Sequence, residues 1–279
     1  MLRGRLNQFV DSCGPAGPVA VSRIVLGLAA LLRAFVGAPL LLSLRDPDAL
    51  RVPRAAWFAA NSTLVWVLLF MWILSAAMFM VGWRYRWAGA ALTATIGAVL
   101  AMDHQTFSNH LYLLFLAVLL MTLVDASARW SIDARRLRGA GTVRLWPVRL
   151  LQAQVSILFL WSVVGKLRSD FLSGSQLAAQ VGRGLVSISD SVGTPRVMVS
   201  LSAATLLLEG FLALALWSPR LRPVALTAAA AFHVAILLLM EPADQLFVFA
   251  LVMASAYLLF LVPTSAPDVR ASDRVASPK

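Results

Sequence analysis

Long apolar runs separated by short polar stretches dominate this chain. Eight runs fall at roughly 19–44, 57–81, 87–103, 109–125, 148–165, 196–217, 222–240 and 244–262. A hydrocarbon layer about 30 Å thick takes about 20 residues of α-helix. In lipid a segment must satisfy its own backbone hydrogen bonds, so such runs read as helices. The runs at 87–103 and 148–165 are short for a span. No series of alternating segments of about ten residues points to a barrel. The pattern predicts an all-α, polytopic integral membrane helix bundle with about eight transmembrane helices.

The polar stretches divide the chain further. Residues 1–18 read as an interfacial segment, a short helix to about 13, and then a hinge built from Gly14, Pro15, Gly17 and Pro18. The run that follows exceeds the 7–15 residues of a signal-peptide core, so a retained span is expected. Residues 19–262 form the membrane domain, and 263–279 a cytoplasmic tail. Within the domain, 167–195 is too polar to span. It still carries Phe171, Leu172, Leu177, Val181, Leu185 and Val186. An interfacial or re-entrant element and a plain surface loop both fit this stretch.

Composition agrees with lipid as the solvent. Hydrophobic residues make up 60% of the chain and charged ones 13%, about half the usual charged share of roughly 25%. The net charge of +11 would suggest nucleic acid in a soluble protein. Here the basic residues lie between apolar runs, where they record topology. With the N-terminus inside, the inner segments hold 15 Lys and Arg and the outer loops 7. Both termini are therefore expected inside, in a bacterial cytoplasmic membrane, with the bilayer as the surrounding partner and no nucleic acid. Cys13 is the only cysteine, which excludes an internal disulfide, a multi-cysteine zinc site and a CxxC redox pair. No metal site is expected.

Charge inside apolar helices costs about 2.5–3.5 kcal/mol per residue on insertion scales, so each case needs a reason. Arg23 is expected to snorkel to the inner surface. Arg33 lies deeper, with structural pairing or substrate contact as its two readings. Glu209, within LLLEGFLAL, is a pairing candidate for Arg33 or a protonated hydrogen-bonding group. Lys166 and the terminal Lys279 are the only lysines. Asn109 and His110 open the fourth run and Lys166 closes the fifth, which places all three at the outer end. Partial burial favours the neutral amine of a lysine and lets it act as a base. An interfacial anchor is the other reading of Lys166. His110 suits proton exchange or a hydrogen bond to a quinol or carbonyl oxygen. Tyr112, Trp161 and His233 join Asn109 as candidate contacts to a substrate or quinone; an interhelical hydrogen bond is the plainer role for His233.

Four stretches resemble the HTTM (horizontally transferred transmembrane) family: SRIVLGL at 22–28, SNHLYLLFL at 108–116, LLQAQVSILFLWSVVGKLRSDFLSGSQL at 150–177 and FHVAILLLM at 232–240. That family includes the membrane part of vitamin K-dependent gamma-carboxylase and shorter bacterial relatives. The resemblance implies that Lys166, in its GKL pattern, is the base that deprotonates vitamin K hydroquinone or another quinol. It implies that His110 is a contact to that cofactor. In the carboxylase, oxygenation of the quinol yields a strong base that takes a proton from peptidyl glutamate before carbon dioxide adds. Phe171 stands where many relatives have tryptophan.

Three functional readings stay open on the sequence. One is a quinol-dependent carboxylase-like enzyme or oxidoreductase acting on an exported peptide or lipid-soluble substrate. Another is a non-enzymatic membrane factor that matures or escorts an exported peptide. The third is a small-molecule transporter with Arg33, Glu209 and His233 along its path.

Overall fold

The computed structural model describes residues 12–46, 48, 50–54, 61–137, 141–186 and 194–262. Each of the eight apolar runs carries one helix. They are α1 (Ala16–Ser43), α2 (Ser62–Val81), α3 (Tyr85–Met102), α4 (Asn109–Leu123), α6 (Trp146–Lys166), α9 (Pro195–Ala215), α10 (Arg222–Leu239) and α11 (Ala243–Leu259). Between them lie three short helices, α5 (Ile132–Leu137), α7 (Ser169–Leu172) and α8 (Ser175–Gly182). Among the described residues, α1, α2, α6, α9, α10 and α11 are long and apolar enough to cross a membrane. The chain is thus an all-α polytopic membrane protein. The interfacial helix expected before residue 12 and the tail after 262 lie outside the described residues.

Two compact units make up the chain: residues to 151 with those from 261 onward, and residues 152–260. In the first unit, α1, α2, α3 and α4 pack in chain order. The buried positions of α2 are Val65, Leu68, Leu69, Trp72, Ser75, Ala76 and Phe79, spaced three and four apart as one helix face requires. The opposite face exposes Trp66, Val67, Phe70 and Leu74. A soluble protein rarely leaves so contiguous an apolar stripe in water; lipid accommodates it. Polar ties join neighbours. Trp72 Nε1 donates to the Ala30 carbonyl at 2.9 Å, and the Tyr85 hydroxyl donates to the Met121 carbonyl.

Caps set the helix ends. The Asn61 side chain accepts the Leu64 N–H at 2.8 Å, so α2 begins at Ser62, later than the apolar run suggested. Ser108 caps α4 through the Leu111 N–H at 3.1 Å, which fixes Asn109 and His110 in the first turn. Gly82 ends α2 at φ +67°, a left-handed conformation that glycine adopts without strain.

The start of the domain departs from the sequence reading. Gly14 and Pro15 do not form a hinge. With Cys13 they make strand β1 (Cys13–Pro15), antiparallel to β2 (Thr142–Arg144), with Cys13 opposite Arg144 and Pro15 opposite Thr142. Helix α1 starts at the next residue, so Gly17 and Pro18 sit in its first turn. Proline is tolerated there because the first N–H groups of a helix lack intrahelical partners. One of these, the Ala16 N–H, donates to the Gly141 carbonyl at 2.9 Å.

Arg23 also differs from expectation. It is fully buried, with Nη1 donating to the Ala126 carbonyl at 3.2 Å and Nη2 to the Trp130 carbonyl at 2.6 Å. A guanidinium with fixed donors can satisfy loop carbonyls without reaching water. The same junction holds Asp133, whose two oxygens accept the Arg84 and Tyr85 N–H groups.

In the second unit, polar stitches join α6 to α9 and α11. Gln152 Nε2 donates to the Leu259 carbonyl at 2.8 Å, and Ser156 Oγ to the Ala213 carbonyl at 2.9 Å. The polar stretch after α6 forms α7 and α8, which pack on α9. Gly174, between them at φ +74°, lies so close to α9 that a Cβ there would stand 2.7 Å from the Met198 carbonyl carbon. Further on, the Glu241 N–H donates to the Leu185 carbonyl at 3.0 Å. The segment is therefore folded back on its own unit as far as Val186; residues 187–193 lie outside the description.

Candidate functional site

Lys166 is the last residue of α6, and its Nζ is bonded to Glu209 Oε1 of α9. Glu209 thus takes Lys166 as its partner, where the sequence suggested Arg33. The Lys166 side chain is 25% exposed and that of Glu209 6%. The Phe171 ring of α7 lies 5.6 Å from Nζ, measured to its centroid. An aromatic face attracts a cation through its quadrupole, so the ammonium has the carboxylate and a π face as neighbours.

The depth of the pair follows from where the helices start. Gly174 packs against the first turn of α9, at Met198 and Val199. Glu209 lies eleven residues beyond Met198, about 16 Å down the helix axis at 1.5 Å per residue. Lys166 reaches that level because α6 ends below the start of α9 and the chain returns through α7 and α8. The lysine expected at the outer end of its helix is therefore set well inside the length of its neighbour.

His233 sits near the middle of α10 and is 7% exposed. Its Nδ1 donates to the Ala229 carbonyl of the same helix at 2.9 Å. Its ring packs between Phe249 and Tyr257 of α11, with centroids at 5.6 and 5.7 Å. Four buried side-chain atoms of this unit have no protein partner among the described residues: Ser202 Oγ, Glu209 Oε2, His233 Nε2 and the Tyr257 hydroxyl. Buried polar atoms are nearly always hydrogen-bonded, to protein or to water, so these atoms and the part-buried ion pair are the candidate site of this unit. Trp161, on α6, is 75% exposed and faces outward.

The other candidates belong to the first unit. Arg33 folds along α1 over Gly37, where any Cβ would collide with its guanidinium. It lines a cleft with Trp72, Val99, Thr106 and Leu111 that has room for about one water. His110 is half-buried, and the Arg33 charge is near enough to act on it. Asn109 is exposed. Tyr112 is also exposed, with its ring beside Phe107 and Phe115, both at 6.3 Å between centroids.

Sequence reasoning missed Tyr257. Two residues from the end of an apolar helix, it reads as one more aromatic at a membrane interface; only its packing on His233 reveals a buried hydroxyl. It missed Asp103 as well, whose 1%-exposed carboxylate accepts the Val52 and Gln105 N–H groups, each at 2.8 Å. The signal there was an acidic residue directly after an apolar run, a common helix-end or loop-capping position.

No solved structure matches this chain. The HTTM domain, by contrast, matches residues 14–264, which takes in every helix described above. The chain is an integral membrane protein belonging to the HTTM domain family.

Proposed function

We propose that this protein is a quinol-dependent, carboxylase-like membrane enzyme acting on an exported peptide or a lipid-soluble substrate, with Lys166 as its base. The observation that carries this reading is the part-buried bond between Lys166 and Glu209. Burial penalises charge, and an ion pair out of water recovers only part of its desolvation cost. A proton moving from Nζ to Oε1 turns ammonium and carboxylate into amine and acid with no change in net charge. The carboxylate is thus placed to take the proton that the amine must lose before it can act as a base. A lone buried ammonium would have to expel its proton to solvent.

The residues fit a quinol. Glu209 Oε2, His233 Nε2 and the Tyr257 hydroxyl lack protein partners, and the walls around them are aromatic. Vitamin K hydroquinone or another quinol, when bound, supplies an acidic ring hydroxyl and reducing equivalents. Lys166 would accept a proton, Glu209 would hold the amine in place and share that proton, and Phe171 would favour the ammonium that results.

The test is mass spectrometry of the purified protein for a co-purifying quinone, joined to an assay of quinol consumption in lipid nanodiscs. Quinone retained by the wild type and consumption lost in Lys166→Ala are expected. Equal consumption by both proteins, or no bound quinone in either, overturns the enzyme reading. A peptide recovered by crosslinking without any turnover would favour a maturation or escort role instead.

A further inference from the structure

We infer that one end of the first unit, where α2 meets α3 and α4 meets α5, binds the phosphate headgroup of an anionic phospholipid. This site stands apart from Lys166 and from the chemistry proposed there.

Two connections form the surface: residues 82–84, which join α2 to α3, and residues 124–131, which join α4 to α5. Asp133 pins one to the other. Its carboxylate oxygens accept the Arg84 N–H at 3.1 Å and the Tyr85 N–H at 2.9 Å. Its own N–H donates to the Gly82 carbonyl at 3.1 Å. Arg23 holds the Trp130 carbonyl of the second connection at 2.6 Å. Those bonds spend the Asp133 carboxylate on backbone groups. Five arginines on the same stretches, Arg84, Arg86, Arg129, Arg135 and Arg136, stand exposed. Asp125 is the only other acid between 82 and 87 or between 124 and 136.

Two of these side chains are held at a cost to the backbone. Arg84 has φ +45° and Trp130 φ +50°, left-handed conformations that bulky side chains rarely adopt. Glycine takes that shape freely, and Gly82 does so at φ +67° in the same turn as Arg84. A connection that only had to turn would be served by glycine at all three positions. The arginine and the tryptophan are there for what their side chains reach, and both reach the surface: Arg84 is exposed, and Trp130 is 54% exposed. Strain kept beneath exposed side chains points to a ligand.

The chemistry of the surface selects that ligand. Guanidinium groups meet phosphate oxygens through paired, charge-assisted hydrogen bonds. Indole rings favour the boundary between hydrocarbon and water. Trp83 and Trp87 are exposed beside the arginines as Trp130 is, and Trp87, in the first turn of α3, is 79% exposed. A free phosphate would use the arginines alone. A phospholipid uses both, with its phosphate on the guanidinium groups and its glycerol and upper acyl chain along the indoles. Clusters of about 4–8 Lys and Arg beside a span favour anionic lipids on the same ground. The bias of basic loops toward one side of a membrane requires neither a pinned conformation nor tryptophan beside the charge.

The test uses the full chain in a neutral detergent, given phosphatidylglycerol and phosphatidylcholine of matched acyl chains in equal amounts. Native mass spectrometry counts the retained lipids, and thermal unfolding is followed with each lipid alone. The wild type should retain phosphatidylglycerol in preference and melt higher with it. Arg84→Gly should lower that preference about fivefold, the share of one basic residue at an anionic surface. With phosphatidylcholine it should melt no lower than the wild type, because glycine relieves the strained turn. Adding Arg135→Gln and Arg136→Gln, both at exposed positions, should lower the preference further. Arg54→Gln, at an exposed arginine stacked on Phe107 at the other end of the unit, should leave it unchanged. Equal retention of the two lipids by the wild type overturns the proposal. So does an undiminished preference in folded Arg84→Gly or in Arg135→Gln, Arg136→Gln. An equal loss in Arg54→Gln would make the effect one of net charge, and equal stabilisation by the same concentration of inorganic phosphate would make it one of free anion; either overturns a lipid site.

Discussion

Gly27 of α1 lies directly against Met80 of α2: a Cβ on Gly27 would stand 2.6 Å from the Met80 Cβ and 2.7 Å from its Cα. Backbone is in the way, so a rotamer change cannot relieve the clash. Small residues at such contacts let membrane helices approach closely.

Gly27→Val should therefore push α1 and α2 apart and cost about 1–3 kcal/mol, the usual range for overpacking. Thermal unfolding in detergent checks it, with Gly165→Ala for comparison. Nothing lies within 4 Å of a Cβ at Gly165. In the last turn of α6 that change should leave stability unaltered or raise it by less than the about 1 kcal/mol of a helix interior. Equal melting temperatures for wild type and Gly27→Val would show that the two helices are not tightly joined there.

Breaking the Lys166–Glu209 pair and replacing it have different expected outcomes. Glu209→Leu leaves a buried ammonium without its carboxylate and should cost up to about 3 kcal/mol, less than a fully buried pair because Lys166 retains some solvent. The double variant Lys166→Met, Glu209→Leu should recover most of that loss. It should also remain inactive. A double variant no more stable than Glu209→Leu would mean that the pair is not what the single change disrupts.

Arg23 holds two loop carbonyls near the arginine-rich stretch that follows α4. Arg23→Lys loses the fork that meets both, at about 1.5–3 kcal/mol for each bond to a charged donor. The loop should open before the helices separate. Limited trypsin digestion reads this directly, through faster cleavage at Arg129, Arg135 or Arg136. An unchanged digestion rate would assign the loop's order to other contacts.

Asp103→Asn tests a carboxylate used on both oxygens. An amide offers one acceptor oxygen and turns an NH₂ toward the second N–H. One of the Val52 and Gln105 N–H groups would lose its partner, at about 1–3 kcal/mol. The check is thermal unfolding against Asp103→Ala, which should be at least as destabilised.

Topology can be read by labelling. In a Cys13→Ser background, Gln176→Cys should react with an impermeant maleimide in intact cells, and Arg135→Cys only after permeabilisation. Both parent residues are exposed. The reverse pattern would invert the orientation expected from the basic loops.

The helices were legible because lipid imposes a strong rule: each span must be long, apolar and self-satisfied. All eight runs became helices on that ground alone. What the sequence hid was who meets whom. Glu209 is equally apt for Arg33 or Lys166 in composition. Only the early end of α6 decides for Lys166, and no periodicity announces it. Gly14 and Pro15 have the chemistry of a flexible turn, yet a partner strand far along the chain makes them part of a ribbon. Lys166 stood out as the one internal lysine, but only resemblance to a family gave it the role of a base, since a lone lysine closing an apolar helix reads equally well as an anchor.

That ribbon has a consequence for the order of events during synthesis. Strand β1 begins at Cys13, and its partner β2 ends at Arg144. A ribosome adding about 5–20 residues per second needs on the order of ten seconds to travel between them. For that interval the first helix can be in the bilayer with its leading end untied, while α2, α3 and α4 are still being laid down. The ribbon closes only after α4 and the arginine-rich loop exist. It acts as a latch on a finished four-helix group, so a defect in β1 should appear as late instability of assembled helices, with membrane insertion unaffected.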